Sequence, residues 1–450
     1  VGRLDRMPLR YAGDGHLITI APTRSGKGVS VIIPNLLTYP GSVVVVDPKG
    51  ENYLVTARRR GELGSTVIAF DPFGVVGGSG AFNPLSVIDP ESPDAIDDAR
   101  MLADMLVVVE GRESGEQTFW NEEARALLSG LILYVAAEPE VTLRTLTHMR
   151  TLLTLPPTLF GELLEQMTAS SAAGGLVARS AARLLQKADK ERSGVISSAQ
   201  SHTHFLDSPR MGMVLSTSTV DLATLCSRPL SLYLVLPPHH LETYHRWIRL
   251  MIASCLAAVT RPVLKVEEGV TERSTPPANH RVIFLVDEFG HLGKVRPIEQ
   301  FIGLVGAYGV SFWLFVQDLS QLKAVYTERW QTFLANADVV QTFGNNDWET
   351  VEYFSKMTGD ATIFTDSENR SRGVSYGRNG SRQDGTAATL SERGRRLLTP
   401  DEVRRLGPTK QLLFVKSSDA VLATKLSYFD ADPMFLGHAD VNPMYRMGTP

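Results

Sequence analysis

The sequence predicts an α/β fold: a mostly parallel central sheet flanked by helices, interrupted by an inserted all-α domain. Three observations predict it. Strand and helix patterns alternate over 16–71 and again over 231–357. The strands are continuous apolar runs such as SVVVVD (42–47), which suit strands buried on both faces of a parallel sheet. Between the two regions, 92–205 is rich in Ala, Leu, Glu and Arg at helical spacing, with few β-branched runs.

LITIA (17–21) is the first strand, followed by a small polar loop and a helix from Lys27 to about residue 38. That order is the one found in phosphate-binding loops. Backbone N–H groups of the loop and the helix N-terminus surround phosphate oxygens, and a lysine adds charge for the β- and γ-phosphates. The usual pattern is G-x-x-x-x-G-K-[ST]. Here Ala21 stands at the first Gly, and Gly28 where a Ser or Thr binds Mg2+. Alone, the stretch reads equally as a polar turn with one surface lysine.

The second and third strands (42–47 and 65–70) lead into Asp47-Pro48-Lys49 and Asp71-Pro72. Ligands of open α/β sheets sit beyond strand carboxyl ends, but Asp and Pro also favour ordinary turns. Both readings stay open for Asp47 and Lys49. Asp71 reads as turn chemistry.

The helical stretch gives the organisation 1–88, first part of the nucleotide-binding domain; 89–205, the insertion; and 206–450, the second part. Phe119, Trp120, Leu127, Leu128 and Leu131 read as helical core. The α/β pattern resumes with a strand at 231–237 and a helix at 244–260, then a polar segment, 264–280, expected as a flexible loop. A strand at 282–286 runs into Asp287-Glu288, and one at 310–317 ends in Gln317. A strand at 338–343 and a helix at 347–357 follow, and the Ser-, Gly- and Arg-rich stretch 366–396 is expected as a second flexible loop. Segments 411–416 and 421–429 read as an antiparallel pair.

Adjacent carboxylates after an apolar strand can divide two tasks in a phosphate-loop ATPase: one faces Mg2+, the next polarises the attacking water. They also terminate strands with no such role. Gln317, 30 residues beyond Asp287, can sense a γ-phosphate. Lys27, Asp287-Glu288 and Gln317 each end or follow a strand in one alternating pattern, and together they point to a nucleoside triphosphate.

At 450 residues, two or three domains are expected, and 43% hydrophobic with 21% charged residues supplies an ordinary globular core. A net charge of −4 argues against a surface basic all over, but leaves room for a basic groove. The two cysteines lack metal-ligand or redox spacing, which fits a reducing compartment. No apolar run reaches the ~20 residues of a transmembrane helix. The chain begins at Val1 rather than Met, so an anchor ahead of it stays open.

With these motifs in place, the sequence resembles the type IV coupling proteins of the TraG type, ATPases of bacterial conjugation and type IV secretion. The matching stretches include APTRSGKGVSVIIPNLL, VVVVDPKGENYLVTARRR, FDPFG, FNPL, SGVISSAQSHTHFLDSP, FLVDEFGHLGK, FVQDLSQLKAVY, ANADVVQTFGNND and LLTPDEVRRLGP, spread over nearly the whole chain. Gly after Lys is usual in that family. The resemblance implies a RecA-like, FtsK-related fold that binds ATP and Mg2+. It implies a hexamer anchored in the inner membrane by an N-terminal segment, on its cytoplasmic face. Partners would be relaxase or relaxosome, effector proteins, single- or double-stranded DNA and inner-membrane secretion components.

Carried over by position, Lys27 binds phosphate with the backbone of Thr23, Arg24, Ser25, Gly26 and Gly28 around it. Asp287 goes with Mg2+, directly or through water, Glu288 with the catalytic water, and Gln317 with γ-phosphate sensing. Asp47 and Lys49 match the DPKGE stretch without an equally firm role. With no Ser or Thr after Lys27, the metal rests on Asp287, water or Ser25. Arg329 and Arg24 are the candidates for an arginine supplied to a neighbouring subunit. The leading reading is a motor that couples ATP hydrolysis to cargo movement. The alternative is a nucleotide-regulated receptor platform with little turnover. An FtsK-type translocase is disfavoured by the TRSGKG and DPKGE stretches.

Overall fold

The computed structural model describes residues 1–4, 7–107, 115–260, 264–267, 270–273, 281–374, 382–430 and 432–443. Its strands in chain order are β1 (Gly2–Leu4), β2 (Met7–Leu9), β3 (His16–Ile20), β4 (Ser42–Asp47), β5 (Thr66–Phe70), β6 (Leu230–Val235), β7 (Leu264–Glu267) and β8 (Val270–Arg273). They continue as β9 (Val282–Val286), β10 (Val310–Val316), β11 (Ala337–Thr342), β12 (Asp360–Val374), β13 (Arg382–Arg396), β14 (Lys410–Val415) and β15 (Val421–Thr424). Eleven of these form one sheet, in the order β2-β1-β15-β14-β11-β3-β10-β9-β4-β6-β5.

From β11 to β5 every pairing is parallel, and from β11 out to β2 every pairing is antiparallel. The continuous apolar strands follow from burial on both sides. Leu17, Val43, Val45, Leu285, Trp313 and Phe315 face one core layer with Val31, Ile32 and Leu36 of the helix after β3. Ile18, Ile20, Val44, Val46, Phe284, Val286 and Leu314 face the other, which continues into helix Pro238–Thr260 and the helical segments between β5 and β6. Among the described residues, those segments include Ala95–Leu106, Gly115–Ala136, Leu146–Leu153, Pro157–Thr168, Ala172–Leu185 and Asp189–Thr203, with no strand between.

Several elements differ from the sequence reading. Residues 366–396, expected as a flexible loop, lie largely in a two-stranded ribbon of β12 and β13 paired from Asp360–Arg396 to Val374–Arg382. Each strand satisfies the other's backbone groups, so a polar composition does not prevent pairing. The ribbon's base is tied to helix Trp348–Met357, with Arg396 on Glu352 at 3.0 Å and Ser355 donating to the Leu398 carbonyl at 2.7 Å. In the other expected loop, 264–280, β7 and β8 pair as a short hairpin; its remaining residues, 268–269 and 274–280, lie outside the described residues.

Helix Pro238–Thr260 starts earlier than expected, since Pro238 fits the first turn of a helix. The last strand ends at Thr424, short of the expected 429. Phe119 is 41% exposed rather than core, edge-on to Trp120, while Leu128 and Leu131 are fully buried. Asp71 accepts backbone N–H bonds from Val75, Val76 and Gly77, and so holds a turn.

Candidate functional site

The register of the parallel strands builds the site. Ile20 lies opposite Val316, Leu314 opposite Val286, and Val286 opposite Val46. The residues one step further on are Ala21, Gln317, Asp287 and Asp47, so four neighbouring strand tips converge at one end of the sheet. Such an edge is where open α/β sheets bind ligands.

Around this edge lies a cavity of about 400 Å3. Thr23, Arg24, Gly26, Lys27, Gly28, Asp47, Lys49, Asp287, Glu288 and Gln317 all line it. Two predicted residues do not. Ser25 turns its hydroxyl back to the Pro22 carbonyl at 2.6 Å. Arg329, 72% exposed, pairs with Glu299 at 3.4 Å.

The loop after β3 takes a shape few residues tolerate. Arg24 has φ +61° and Gly26 φ +95°, both in the left-handed half of backbone space. The helix then opens with a π-helical turn, Gly28–Ile32, before Ile33–Thr38. From outside the loop, the Lys425 ammonium donates to the Ser25 carbonyl at 2.8 Å and lies 4.7 Å from the Phe343 ring centre.

Lys27 is 8% exposed, and its ammonium makes no hydrogen bond among the described residues. Glu288 Oε1 lies 3.6 Å away and Asp287 Oδ1 4.0 Å, counter-charges outside hydrogen-bond distance. Burial and the neighbouring Glu288 charge push Asp287 up to about 6, against the pull of Lys27. Glu288 is also pulled upward by burial, but the Lys27 charge, the Gln317 amide and His291 together hold it below the ordinary glutamate value. Gln317 Nε2 donates to Glu288 Oε2 at 3.0 Å, and His291 Nδ1 approaches the same oxygen at 3.0 Å. Glu288 itself has φ +52°, in the left-handed region that residues with a Cβ rarely occupy.

Asp47 works differently. It is 1% exposed and accepts from the Tyr53 N–H at 2.9 Å and from Asn52 at 3.3 Å, so it secures the start of helix Glu51–Glu62. Burial raises it to about 7, with the charges of Asp287 and Glu51 adding to the rise.

Sequence reasoning missed Glu51, Asn52 and His291 in the cavity, and Lys425 behind the loop. The i, i+3 spacing of Glu288 and His291 was the one local signal available. Among the described residues, no group of three or more His, Cys, Asp or Glu is close enough to hold a metal. Mg2+ does not need one: it keeps several waters and is held by one or two carboxylates plus substrate phosphates. The Asp287 and Glu288 carboxylates offer oxygen to a hard cation, and the Lys27 ammonium beside them offers its donors to phosphate.

The chain matches the family model for type IV secretory system conjugative DNA transfer over residues 5–445. It is 30% identical over 457 residues to the conjugal transfer protein TraG of Escherichia coli, covering 96% of this chain and 70% of that protein. It is 28% identical to VirD4 of Agrobacterium fabrum, covering 92% of this chain and 58% of that one. Among solved structures, the bacterial conjugative coupling protein TrwB superposes with a TM-score of 0.65 at 17% identity, covering 92% of this chain and 85% of TrwB. Another TrwB structure, described as a complex with ADP and Mg2+, gives 0.65 at 15% identity, with coverage of 92% and 86%. On a RecA-like fold, this chain belongs to the type IV coupling proteins of conjugation and type IV secretion.

Proposed function

We propose that this chain is the ATP-hydrolysing part of a coupling protein. It brings relaxase-bound DNA or effector protein to a type IV secretion channel and drives transfer as a hexameric ring. The observation that carries this reading is the Lys27 ammonium, buried without a hydrogen bond in a cavity at the strand tips. Its two counter-charges leave the donors of this buried ammonium unmet, which is costly, and phosphate is the acceptor that suits a loop of this form. TrwB structures described with ADP and Mg2+ and with a non-hydrolysable ATP analogue support nucleotide as the ligand.

In this reading Lys27 meets the β- and γ-phosphates, with the backbone of 23–28 around them. Asp287 faces the Mg2+ side, and bound Mg2+ supplies neutralisation of phosphate charge. Glu288, kept ionised by Lys27, Gln317 and His291, orients the attacking water and accepts its proton. Gln317 links that carboxylate to the tip of β10, so loss of the γ-phosphate is felt there. Lys49 adds charge at the rim. Arg24, exposed on the loop, and Arg329, on the surface, are the arginines available to a neighbouring subunit.

The helical insertion, 89–205, is assigned to cargo reception. Among the described residues no helix is long and apolar enough to cross a membrane. In the reading proposed, the ring works on the cytoplasmic face of the bacterial inner membrane, held by an N-terminal anchor and by inner-membrane secretion components.

The test is ATP turnover with and without single-stranded DNA, for the native chain, Lys27→Ala and Glu288→Gln. Turnover that DNA raises and both substitutions abolish supports the motor. Nucleotide binding without turnover under either condition selects the receptor platform. Binding and turnover that survive Lys27→Ala overturn the site.

A further inference from the structure

The phosphate-binding loop lacks a side chain at the position that ordinarily reaches Mg2+, and the fold shows what faces the gap. A Cβ built on Gly28 meets one atom within 4 Å, Glu51 Oε1 at 3.9 Å. Glu51 lines the same cavity as Lys27 and Asp287, from the first position of helix Glu51–Glu62. Of the hydroxyls close by in sequence, Ser25 is turned away and bonded to Pro22, Ser30 is buried in the helix, and Thr23 lines the cavity from the loop.

Glu51 is also held in place. Asn442, 4% exposed, donates Nδ2 to Glu51 Oε1 at 2.7 Å and to the Tyr428 hydroxyl at 2.8 Å. The segment carrying Asn442 is docked by Leu426, Tyr428 and Phe435 against Ile33, Leu37 and Val55, residues of the two helices that flank the cavity. Glu51, Asp47 and Asp287 line one cavity. The Lys27 ammonium, without a hydrogen bond, offers its donors to phosphate, and the carboxylates of the same cavity offer oxygen to a cation that accompanies it.

We infer that Glu51, oriented by Asn442, takes over the Mg2+-binding task of the missing Ser or Thr hydroxyl, directly or through a bound water. This rests on the nucleotide reading above. A hydroxyl and a carboxylate both offer oxygen to a hard cation, so a glycine after Lys27 and a glutamate facing it form one solution in two parts. Asn442 is then a positioning residue, since it acts through the carboxylate it holds. Outer residues of that kind are worth ~10–100-fold in metal affinity.

The experiment measures binding rather than turnover. A fluorescent non-hydrolysable ATP analogue is titrated in EDTA and then at increasing Mg2+, with Mn2+ paramagnetic resonance on the ternary complex as a second readout. Glu51→Gln should leave affinity in EDTA within twofold of native and raise the Mg2+ needed for the tight complex by ~10-fold or more. Adding Gly28→Ser to Glu51→Gln should recover most of that loss, because the hydroxyl returns to the space Glu51 faces. Asn442→Ala should fall between native and Glu51→Gln.

An unchanged Mg2+ requirement in Glu51→Gln overturns the inference. So does an equal loss with and without Mg2+, which would mean that Glu51 merely shapes the cavity. Lys27→Ala is the control: if it keeps native affinity, the nucleotide site itself is wrong. If it loses affinity while Glu51→Gln keeps its Mg2+ dependence, only the Glu51 assignment fails.

Discussion

Replacing Lys425 by Met tests whether the phosphate-binding loop is braced from outside. The substitution keeps a long apolar stem and removes the ammonium that donates to the Ser25 carbonyl at 2.8 Å. A hydrogen bond from a charged donor contributes about 1.5–3 kcal/mol. The approach to the Phe343 ring, 4.7 Å, adds about 0.5–1 kcal/mol. Against these stands the cost of burying the ammonium, visible in a pKa held below the ordinary lysine value. The net is about 1–2 kcal/mol, and it acts on the loop whose Arg24 and Gly26 hold left-handed conformations. If that stabilisation is spent on keeping the loop ready for phosphate, affinity for an ATP analogue falls about 5–30-fold. The same loss spread over a chain of 450 residues lowers Tm by no more than about 4 °C. Calorimetric titration with the analogue gives the first number, and amide exchange over 23–28 should rise in parallel. Native affinity with unchanged exchange refutes the brace. A much larger drop in Tm shows that Lys425 supports the sheet rather than the loop.

Two further outcomes follow from single residues. Gly26→Ala puts a Cβ at φ +95° and 3.3 Å from Ser30 Oγ; left-handed backbone costs about 1–2 kcal/mol for a residue with a Cβ, so analogue binding should weaken about 5–30-fold by titration, and native affinity would contradict the loop shape. Asp47 carries a carboxyl raised from 3.8 to about 7 by burial. The native fold binds that proton more tightly than the unfolded chain does, so this residue's contribution is fully present below about 4 and is lost as pH rises through about 7. Asp47→Asn should therefore gain Tm relative to native as pH goes from 4 to 8, read by thermal melts, and a pH-independent difference would contradict the raised value.

Why some of the site was readable and some was not has a physical answer. Lys27, Asp287, Glu288 and Gln317 each lie at or just past the end of a continuous apolar strand, and parallel pairing in register brings strand ends together. The motif and its place in the fold therefore arrive in the same local signal. Asp47 was ambiguous because its local duty, securing the helix behind it, needs the same residue type that a cation site needs. The 360–396 ribbon escaped because its stability comes from cross-strand backbone pairing, which a polar composition neither forbids nor announces.

Two residues that support the site share one reason for escaping a reading of the sequence. Lys425 reaches Ser25 across a sequence separation of 400, and Asn442 reaches Glu51 across 391. Neither has a periodicity or a spacing that marks it. Both belong to the segment after β15, which turns back across the helices flanking the cavity and buries Leu426, Tyr428 and Phe435 against them. Two of its polar contacts fall on either side of the phosphate-binding site: one on the loop, the other on the carboxylate facing Gly28. The loop and the carboxylate facing Gly28 are thus both held by residues from the far end of the chain. The departures at Ala21 and Gly28 should therefore be judged with residues 425–442 in place, since a fragment ending before them would retain the motif while losing the contacts that shape it.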